Sequence, residues 1–173
     1  YELMLEDGGK KKFYFPLYNY TENNLDVVRE MISHPASLLG LGDAGAHCGA
    51  ICDASMTTSS LTVWARDRKH GERLPLEWLV HGHTQRTAAH LGWLDRGVLA
   101  PGYLADLNLI DLDRLACRPP RIVHDLPAGG RRLVQDAEGY RATVKRGVVT
   151  FEDGEHTGAL PGTLLRGSQP APA

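Results

Sequence analysis

Residues 38–47, LLGLGDAGAH, constrain the fold of this chain more than any other segment. A short apolar run ends on the carboxylate of Asp43, glycines flank that residue, and His47 follows four positions later. Parallel α/β barrels present their catalytic groups at the carboxyl ends of buried strands, and glycines let backbone and substrate approach closely. The segment therefore predicts a strand that ends in a functional carboxylate. The alternative is a strand that ends in an ordinary Gly-Asp turn.

The composition excludes several classes of protein. The 173 residues are 42% apolar and 23% charged, which is typical of a soluble globular domain, and the net charge of -2 does not indicate nucleic acid or a membrane as a partner. No apolar run approaches the roughly 20 residues that span a bilayer. Cys48, Cys52 and Cys117 are too few, and odd in number, for a secreted disulfide scaffold, so we expect a cytoplasmic protein.

The first part of the chain follows the strand-helix-strand order of a parallel α/β fold. Residues 12–20 are aromatic and β-prone, with an interruption at Pro16. Asn24 is a suitable cap for a helix that ends at residues 34–35, because the residue before a proline avoids the helical region. The apolar run that ends at Asp43 then supplies the second strand.

Two further helices are predicted downstream of Asp43. Ser59 or Ser60 caps the first, and the second begins near Pro75, since proline is favoured in the first turn of a helix. Apolar residues recur along one face of this second helix, and His83 lies on that face.

The pattern changes after residue 92. Turn residues at 97–102 precede alternating apolar residues, and residues 146–147 join two alternating runs as a hairpin. We therefore interpret residues 1–92 as α/β and residues 96–165 as mostly β.

Both ends of the chain carry a signal of their own. The chain opens at Tyr1, within a helical pattern and without an initiator methionine, a secretory signal or a tag. We expect it to be the carboxyl-terminal part of a longer protein. Residues 168–173 are rich in proline and alanine and are predicted to form a disordered tail.

Several segments match the motifs of one enzyme superfamily in order. Residues 41–47, LGDAGAH, are similar to the end of an eighth barrel strand, and residues 84–93, TQRTAAHLGW, to the helix that leaves the barrel. Residues 95–107, DRGVLAPGYLADL, are the most specific piece and match a G-x-L-x-x-G-x-x-A-D-L stretch that enters a small β-sandwich. Residues 154–162 and 165–167 match a closing segment. Together these segments resemble the metal-dependent amidohydrolase superfamily, and within it the N-acyl-D-amino-acid deacylase (D-aminoacylase) branch.

The resemblance implies an α/β fold: the carboxyl-terminal part of a (β/α)8 TIM barrel, followed by a β-sandwich segment. Residues 1–92 would be the last strands and helices of the barrel, residues 93–167 the sandwich segment and residues 168–173 the disordered tail. A whole barrel takes roughly 250 residues. The earlier strands, with the family's His-x-His and its other metal ligands, would therefore lie upstream of Tyr1.

The resemblance also implies a site. Asp43 would bind the metal, one or two zinc ions, and would act as general acid/base while metal-bound hydroxide attacks the amide carbonyl. The alternative for Asp43 is a turn or helix-capping aspartate. His47 is predicted to bind substrate or, alternatively, to stabilise its own loop. Asn19 is predicted to line the substrate site.

Other residues imitate functional motifs. His81 and His83 copy the His-x-His signature, but residues two apart on a helix diverge by about 200°, so we interpret His83 as a packed helix residue. Cys48 and Cys52 have no second ligand pair and are interpreted as packed thiols. Asp106 is interpreted as a structural carboxylate in the turn that starts a sandwich strand.

The predicted function is part of a zinc-dependent hydrolase of non-peptide C–N bonds, acting on N-acyl-D-amino acids or similar small amides. One alternative is a cyclic amidohydrolase of the hydantoinase or dihydroorotase kind. Another is a non-catalytic fragment or subunit that lacks the upstream metal ligands and is inactive alone. An open barrel exposes strand edges and apolar surface, so self-association, or an amino-terminal portion that completes the barrel, is also predicted.

Overall fold

The structure is a computed structural model. It describes residues 1–9, 13, 18–20, 22–40, 42–43 and 45–173. The chain divides into two compact units, Tyr1–Ser37 and Leu38–Ala173. The predicted domain boundaries at residues 92 and 167 stay predictions.

The first unit contains short helices. They are α1, Glu2–Leu5, a 3-10 turn over Glu6–Gly9, and α2, Asp26–Ser33. The strand predicted over residues 12–20 falls largely outside the described residues.

Helix α2 ends where its sequence predicts and begins one residue later than a cap at Asn24 would place it, since Leu25 precedes its first helical residue. The Asn24 side-chain oxygen accepts a hydrogen bond from the backbone N–H of Asp26 at 2.9 Å, which satisfies one of the free donors of the first turn. The helix stops at Ser33, and His34, the residue before Pro35, is extended with φ -65° and ψ 137°. Steric conflict with the proline ring disfavours the helical conformation at that position. The prediction of this helix is confirmed.

The second unit contains two longer helical stretches. The first is α3, Met56–Ser59, which continues as a π-helix over Ser60–Asp67. The second is α4, Leu76–His81, which continues as a π-helix over Gly82–Arg86 and then as α5, Thr87–His90. The second stretch begins directly after Pro75, which agrees with the predicted start near that residue, whereas the first begins earlier than Ser59.

The rest of the second unit is β-rich. Its strands are β1, Leu107–Ile110, β2, Ala116–Cys117, β3, Arg121–Leu126, β4, Gly130–Val134, β5, Ala137–Glu138, β6, Tyr140–Lys145, β7, Val148–Glu152, and β8, Glu155–His156. The largest sheet has the order β1-β6-β7-β8, and β2-β5 and β3-β4 form two-stranded sheets. Helices with antiparallel sheets are consistent with the predicted α/β class.

The core of the second unit joins its helices to its β-rich part. The buried apolar side chains are Leu61, Trp64, Leu74, Leu79, Ala88 and Leu115. Leu79 and Leu115 are 0% exposed, and a fully buried leucine contributes about 1.5–3 kcal/mol. A hydrogen bond of 2.8 Å between the hydroxyl groups of Thr58 and Tyr140 links α3 to β6.

The predicted hairpin at residues 146–147 is confirmed. Lys145 pairs with Val148 across a two-residue turn. Arg146 has φ 51° and Gly147 has φ 78°. Two successive left-handed residues are what a type I′ turn requires, and this turn matches the twist of the two strands that it joins.

The strand predicted to end at Asp43 is not observed. The described residues 38–40 and 42–43 belong to no strand, and the pairings among the strands β1 to β8 of the described residues are all antiparallel. A strand exists only through hydrogen bonds to a neighbouring strand, and no described strand pairs with this segment. The barrel and the sandwich therefore stay predictions.

Backbone hydrogen bonds hold part of the segment that was predicted to be disordered. Gln169 forms a parallel bridge with Trp93, and its N–H donates to the carbonyl of Gly92 at 2.8 Å.

Within the described residues, no helix is long and apolar enough to cross a bilayer.

Candidate active site

Asp43 lies on a loop that fixes its backbone and leaves its carboxylate exposed. Its N–H donates to Oδ2 of Asp53 at 2.7 Å, and its carbonyl accepts from the N–H of Ala46 at 2.9 Å. The side chain is exposed, and within the described part of the chain its carboxylate has no hydrogen-bond or ion-pair partner. A held backbone with a free carboxylate is an arrangement that can present an acid/base group or a metal ligand to another molecule.

Gly42 makes the contact between Asp43 and Asp53 sterically feasible. A Cβ atom at position 42 would lie 2.0 Å from Oδ2 of Asp53 and 3.0 Å from its Cγ. Real Cβ atoms do not approach other atoms so closely, so the Asp53 carboxylate occupies the space that any other residue at position 42 would need. The glycine before Asp43 is therefore required by a close approach.

Sequence reasoning missed Asp53. It lies ten residues from Asp43 and outside the apolar run that singled out Asp43, and its neighbour Cys52 drew attention only as a weak metal motif. One of its oxygens, Oδ1, is buried and has no hydrogen-bond partner among the described residues. The only local sequence signal is an aspartate shortly before the helix that starts at Met56, a position at which a capping role is the usual interpretation.

His47 follows Asp43 on the same loop. Its φ is 45°, in the left-handed region, and its carbonyl accepts hydrogen bonds from the N–H groups of Ala50 and Ile51 at 2.7 and 3.1 Å. The imidazole is exposed and hydrogen-bonds to none of the described residues. The hydrogen bonds that His47 forms within its loop are therefore those of its backbone. Its role as a substrate-binding side chain stays a prediction.

Asn19 is the other predicted substrate residue. It has φ 61° and is exposed, and it belongs to the first unit, Tyr1–Ser37, whereas Asp43 and His47 belong to the second. Its role stays a prediction.

The loop after Asp43 is attached to the β-rich part of the same unit. The Leu133 N–H, on β4, donates to the carbonyl of Cys48 at 2.7 Å. The Ser55 hydroxyl donates to the side-chain oxygen of Gln135, just beyond the same strand. These contacts lie on either side of Asp53, so the β3-β4 hairpin supports the segment that carries its carboxylate.

The chain matches the sequence model of one protein family. The model of the amidohydrolase family matches residues 17–151, which is more than half of the chain and includes Asp43, His47 and Asp53. The chain belongs to the amidohydrolase family. No curated protein and no solved structure matches it.

Enzymes of the amidohydrolase family generally depend on a metal. The described residues of this member contain no cluster of three or more His, Cys, Asp or Glu side chains that could hold a metal ion. A catalytic zinc site uses three protein ligands and keeps a further position for water or substrate. The exposed carboxylate of Asp43 has the right chemistry for one ligand, but the described residues do not make up a complete site.

His83 is a packed helix residue in this amidohydrolase, as its position on the apolar face predicts. Its Nε2 lies 2.9 Å from the hydroxyl oxygen of Ser60, and burial lowers the pKa of its imidazole. His81 lies two residues earlier in the same helical stretch and is exposed. The two histidines therefore do not act as a strand-borne His-x-His pair.

All three cysteines of the amidohydrolase chain are free and partly buried. Burial, together with the nearby Asp53 carboxylate, raises the pKa of the Cys52 thiol. A raised pKa disfavours the thiolate, which is the form that binds metals. The Cys48 thiol lies 3.9 Å from the carbonyl oxygen of Arg131. These contacts agree with the interpretation of Cys48 and Cys52 as packed thiols.

Proposed function

We propose that the chain is part of a zinc-dependent amidohydrolase that hydrolyses the amide bond of N-acyl-D-amino acids or similar small amides. The family match supports a hydrolase. The branch and its substrate class rest on the resemblance of residues 41–47, 95–107, 154–162 and 165–167 to the D-aminoacylases.

The observation that carries the proposal is the combination of a fixed backbone and a free carboxylate at Asp43. In the proposed reaction this carboxylate accepts a proton from the attacking water as the new C–O bond forms. It then delivers that proton to the amine nitrogen of the tetrahedral adduct, whose C–N bond breaks as the amine departs. General acid/base catalysis by a positioned side chain contributes about 10²–10⁴-fold. We also propose Asp43 as a ligand of zinc, with one or two ions bound and the remaining ligands supplied from outside these 173 residues.

His47 and Asn19 are proposed as substrate-binding residues. An exposed imidazole four positions after the carboxylate can donate a hydrogen bond to a carbonyl or carboxylate oxygen. Asn19 offers both an amide donor and a carbonyl acceptor for the same purpose.

The test uses the complete protein that contains this chain and the variant Asp43→Asn. We expect kcat/KM for N-acetyl-D-amino acids to fall by about 10²–10⁴-fold, because the amide cannot carry the proton. Zinc content, measured by elemental analysis, is expected to fall in the same variant. The control is Asp113→Asn, which removes another exposed carboxylate and is expected to leave both quantities unchanged. Near-normal turnover by Asp43→Asn would contradict the proposed role.

The substrate class is tested on the same preparation. N-acetyl-D-amino acids, their L enantiomers and hydantoins are compared as substrates at equal concentrations. Preferential hydrolysis of the D-amino acid derivatives supports the proposal, and preferential hydrolysis of hydantoins supports a cyclic amidohydrolase. A complete protein that neither binds zinc nor hydrolyses any of these amides would support the non-catalytic alternative.

A further inference from the structure

The Asp53 carboxylate is the one side chain that hydrogen-bonds to Asp43 in the described part of the chain. Its Oδ2 accepts the Asp43 N–H at 2.7 Å across ten residues, which closes residues 43–53 into a loop. A hydrogen bond to a charged acceptor is roughly twice as strong as one between neutral groups. The contact therefore fixes the peptide plane between Gly42 and Asp43, and with it the direction in which the Asp43 side chain leaves the backbone.

We infer that Asp53 is a positioning residue for Asp43, acting through the backbone N–H rather than through any contact with substrate. The inference rests on the proposed role of Asp43 as the acid/base group. A misplacement of about 1 Å in a catalytic group costs on the order of 10²-fold in rate. Loss of the Asp53 carboxylate would permit such a misplacement without removing any reacting group.

Asp53 is itself held from both sides. Its own carbonyl accepts the N–H of Met56 at 3.0 Å, where α3 begins, and Ser55 hydrogen-bonds to Gln135 next to β4. Earlier in the loop, the Cys48 carbonyl is bound by the N–H of Leu133 on β4. The carboxylate is therefore attached to a helix end and a strand, which makes it a rigid support for the more exposed Asp43.

The Asp53 carboxylate occupies the space that a side chain at position 42 would need. The three atoms nearest to a Cβ built at position 42 are Oδ2, Cγ and Oδ1 of Asp53, at 2.0, 3.0 and 3.7 Å. A side chain at position 42 would therefore displace the Asp53 carboxylate before it met anything else. Gly40 is a matched control, because a Cβ there meets nothing within 4 Å.

Replacing Asp53 with asparagine distinguishes a positioning role from a role as proton carrier or metal ligand. Oδ1 is buried without a hydrogen-bond partner in the described residues, so the carboxylate bonds to the protein through Oδ2 alone. An asparagine retains one side-chain oxygen that can accept the Asp43 N–H, but it carries no charge and binds metals poorly. A positioning role therefore predicts rescue by asparagine, whereas a role as proton carrier or metal ligand predicts none.

The experiment uses the complete protein with Asp53→Ala, Asp53→Asn, Gly42→Ala and Gly40→Ala. We expect kcat to fall about 100-fold in Asp53→Ala with KM changed by less than about threefold, and to stay within about tenfold of wild type in Asp53→Asn. Gly42→Ala is expected to lower kcat by at least about tenfold, and Gly40→Ala to leave it unchanged. Equal losses in Asp53→Asn and Asp53→Ala would overturn the positioning role.

A double variant supplies a readout that does not depend on activity. In Asp53→Ala the space next to position 42 is open, so adding Gly42→Ala should lower the unfolding temperature less than it does in the wild-type background. Additive shifts in unfolding temperature would overturn the contact on which the inference rests. Full activity of Asp53→Ala alongside an inactive Asp43→Asn would overturn only the inference, whereas an active Asp43→Asn would overturn the proposed function itself.

Discussion

Asp43 and Asp106 are two aspartates that family motifs single out, and the structure treats them in opposite ways. The Asp43 carboxylate is exposed and has no partner among the described residues, and it is the backbone of Asp43 that is held. The Asp106 carboxylate is instead engaged on both oxygens: it pairs with the Lys145 ammonium and accepts the Arg146 N–H at 2.8 Å. A carboxylate whose acceptors are all used supports the fold, and one left free is available for chemistry.

The pKa of Asp106 reflects these partners. Burial opposes ionisation of this carboxyl, but the hydrogen bonds from Lys145 and from the Arg146 N–H, with the Arg96 charge at 3.8 Å, outweigh it and lower its pKa. Asp106 thereby fastens the start of β1 to the β6-β7 hairpin, which confirms its interpretation as a structural residue.

The largest effect on stability is expected from Asp106→Asn. The amide carries no charge and therefore loses the ion pair with Lys145, and removing a part-buried charged partner costs about 1–2 kcal/mol of unfolding free energy. Turnover per folded molecule should not change. The measurement is urea unfolding followed by circular dichroism, with Asp153→Asn as the control, since the Asp153–Arg141 pair is exposed and should contribute less than about 1 kcal/mol. Equal losses of unfolding free energy in the two variants would contradict a larger structural role for Asp106 than for the exposed Asp153.

A smaller effect is expected from acid and involves His83. Burial lowers the pKa of this imidazole in the folded state below the 6.5 of the exposed group. The unfolded chain therefore binds a proton more readily, so His83 stabilises the fold above pH 6.5 and this contribution is lost as the pH falls below that value. The lowered pKa of Asp106 acts only at lower pH, because its contribution is lost below the ordinary 3.8.

Unfolding free energies measured between pH 7.5 and 4.5 test whether His83, and not Asp106, causes the loss of stability in this range. We expect stability to decline with falling pH in the wild type and to decline less in His83→Gln, which cannot be protonated. Asp106→Asn should leave the slope in this range unchanged. A slope that His83→Gln does not alter would show that other groups cause the decline.

The smallest effect is expected at the turn that Asp106 binds. Arg146 has φ 51°, and asparagine adopts the left-handed region more readily than arginine does. Arg146→Asn should therefore raise the unfolding free energy by about 0.5 kcal/mol, even though it loses the hydrogen bond from Arg146 to Thr163. Arg146→Lys, which loses the guanidinium without improving the turn, is the control. A gain in both variants would exclude turn conformation as the cause.

Features with a local cause could be predicted from the sequence. The end of α2 before Pro35, the start of α4 after Pro75 and the turn at residues 146–147 each follow from the steric preferences of one or two residues. The same holds for His83, whose position on an apolar face predicts its burial.

Features that depend on distant partners could not be predicted in this way. The segment before Asp43 has the composition of a strand, but a strand also needs a neighbour, and composition does not specify one. The bond between Asp53 and Asp43 depends on a loop that brings residues ten positions apart together, with a glycine at position 42 to admit the carboxylate. A motif could therefore identify Asp43 as the candidate acid/base group, while the residue that orients it required the structure.

The most direct test of the difference between the free carboxylate of Asp43 and the paired carboxylate of Asp106 uses the variants Asp43→Asn and Asp106→Asn of the complete protein. It measures kcat/KM and unfolding free energy for both variants. We predict that Asp43→Asn loses about 10²–10⁴-fold in kcat/KM with stability changed by less than about 0.5 kcal/mol, and that Asp106→Asn loses stability but not turnover. If Asp43→Asn kept near-normal turnover, or if it lost stability in proportion to its activity, Asp43 would be a structural aspartate like Asp106 and the account would be wrong.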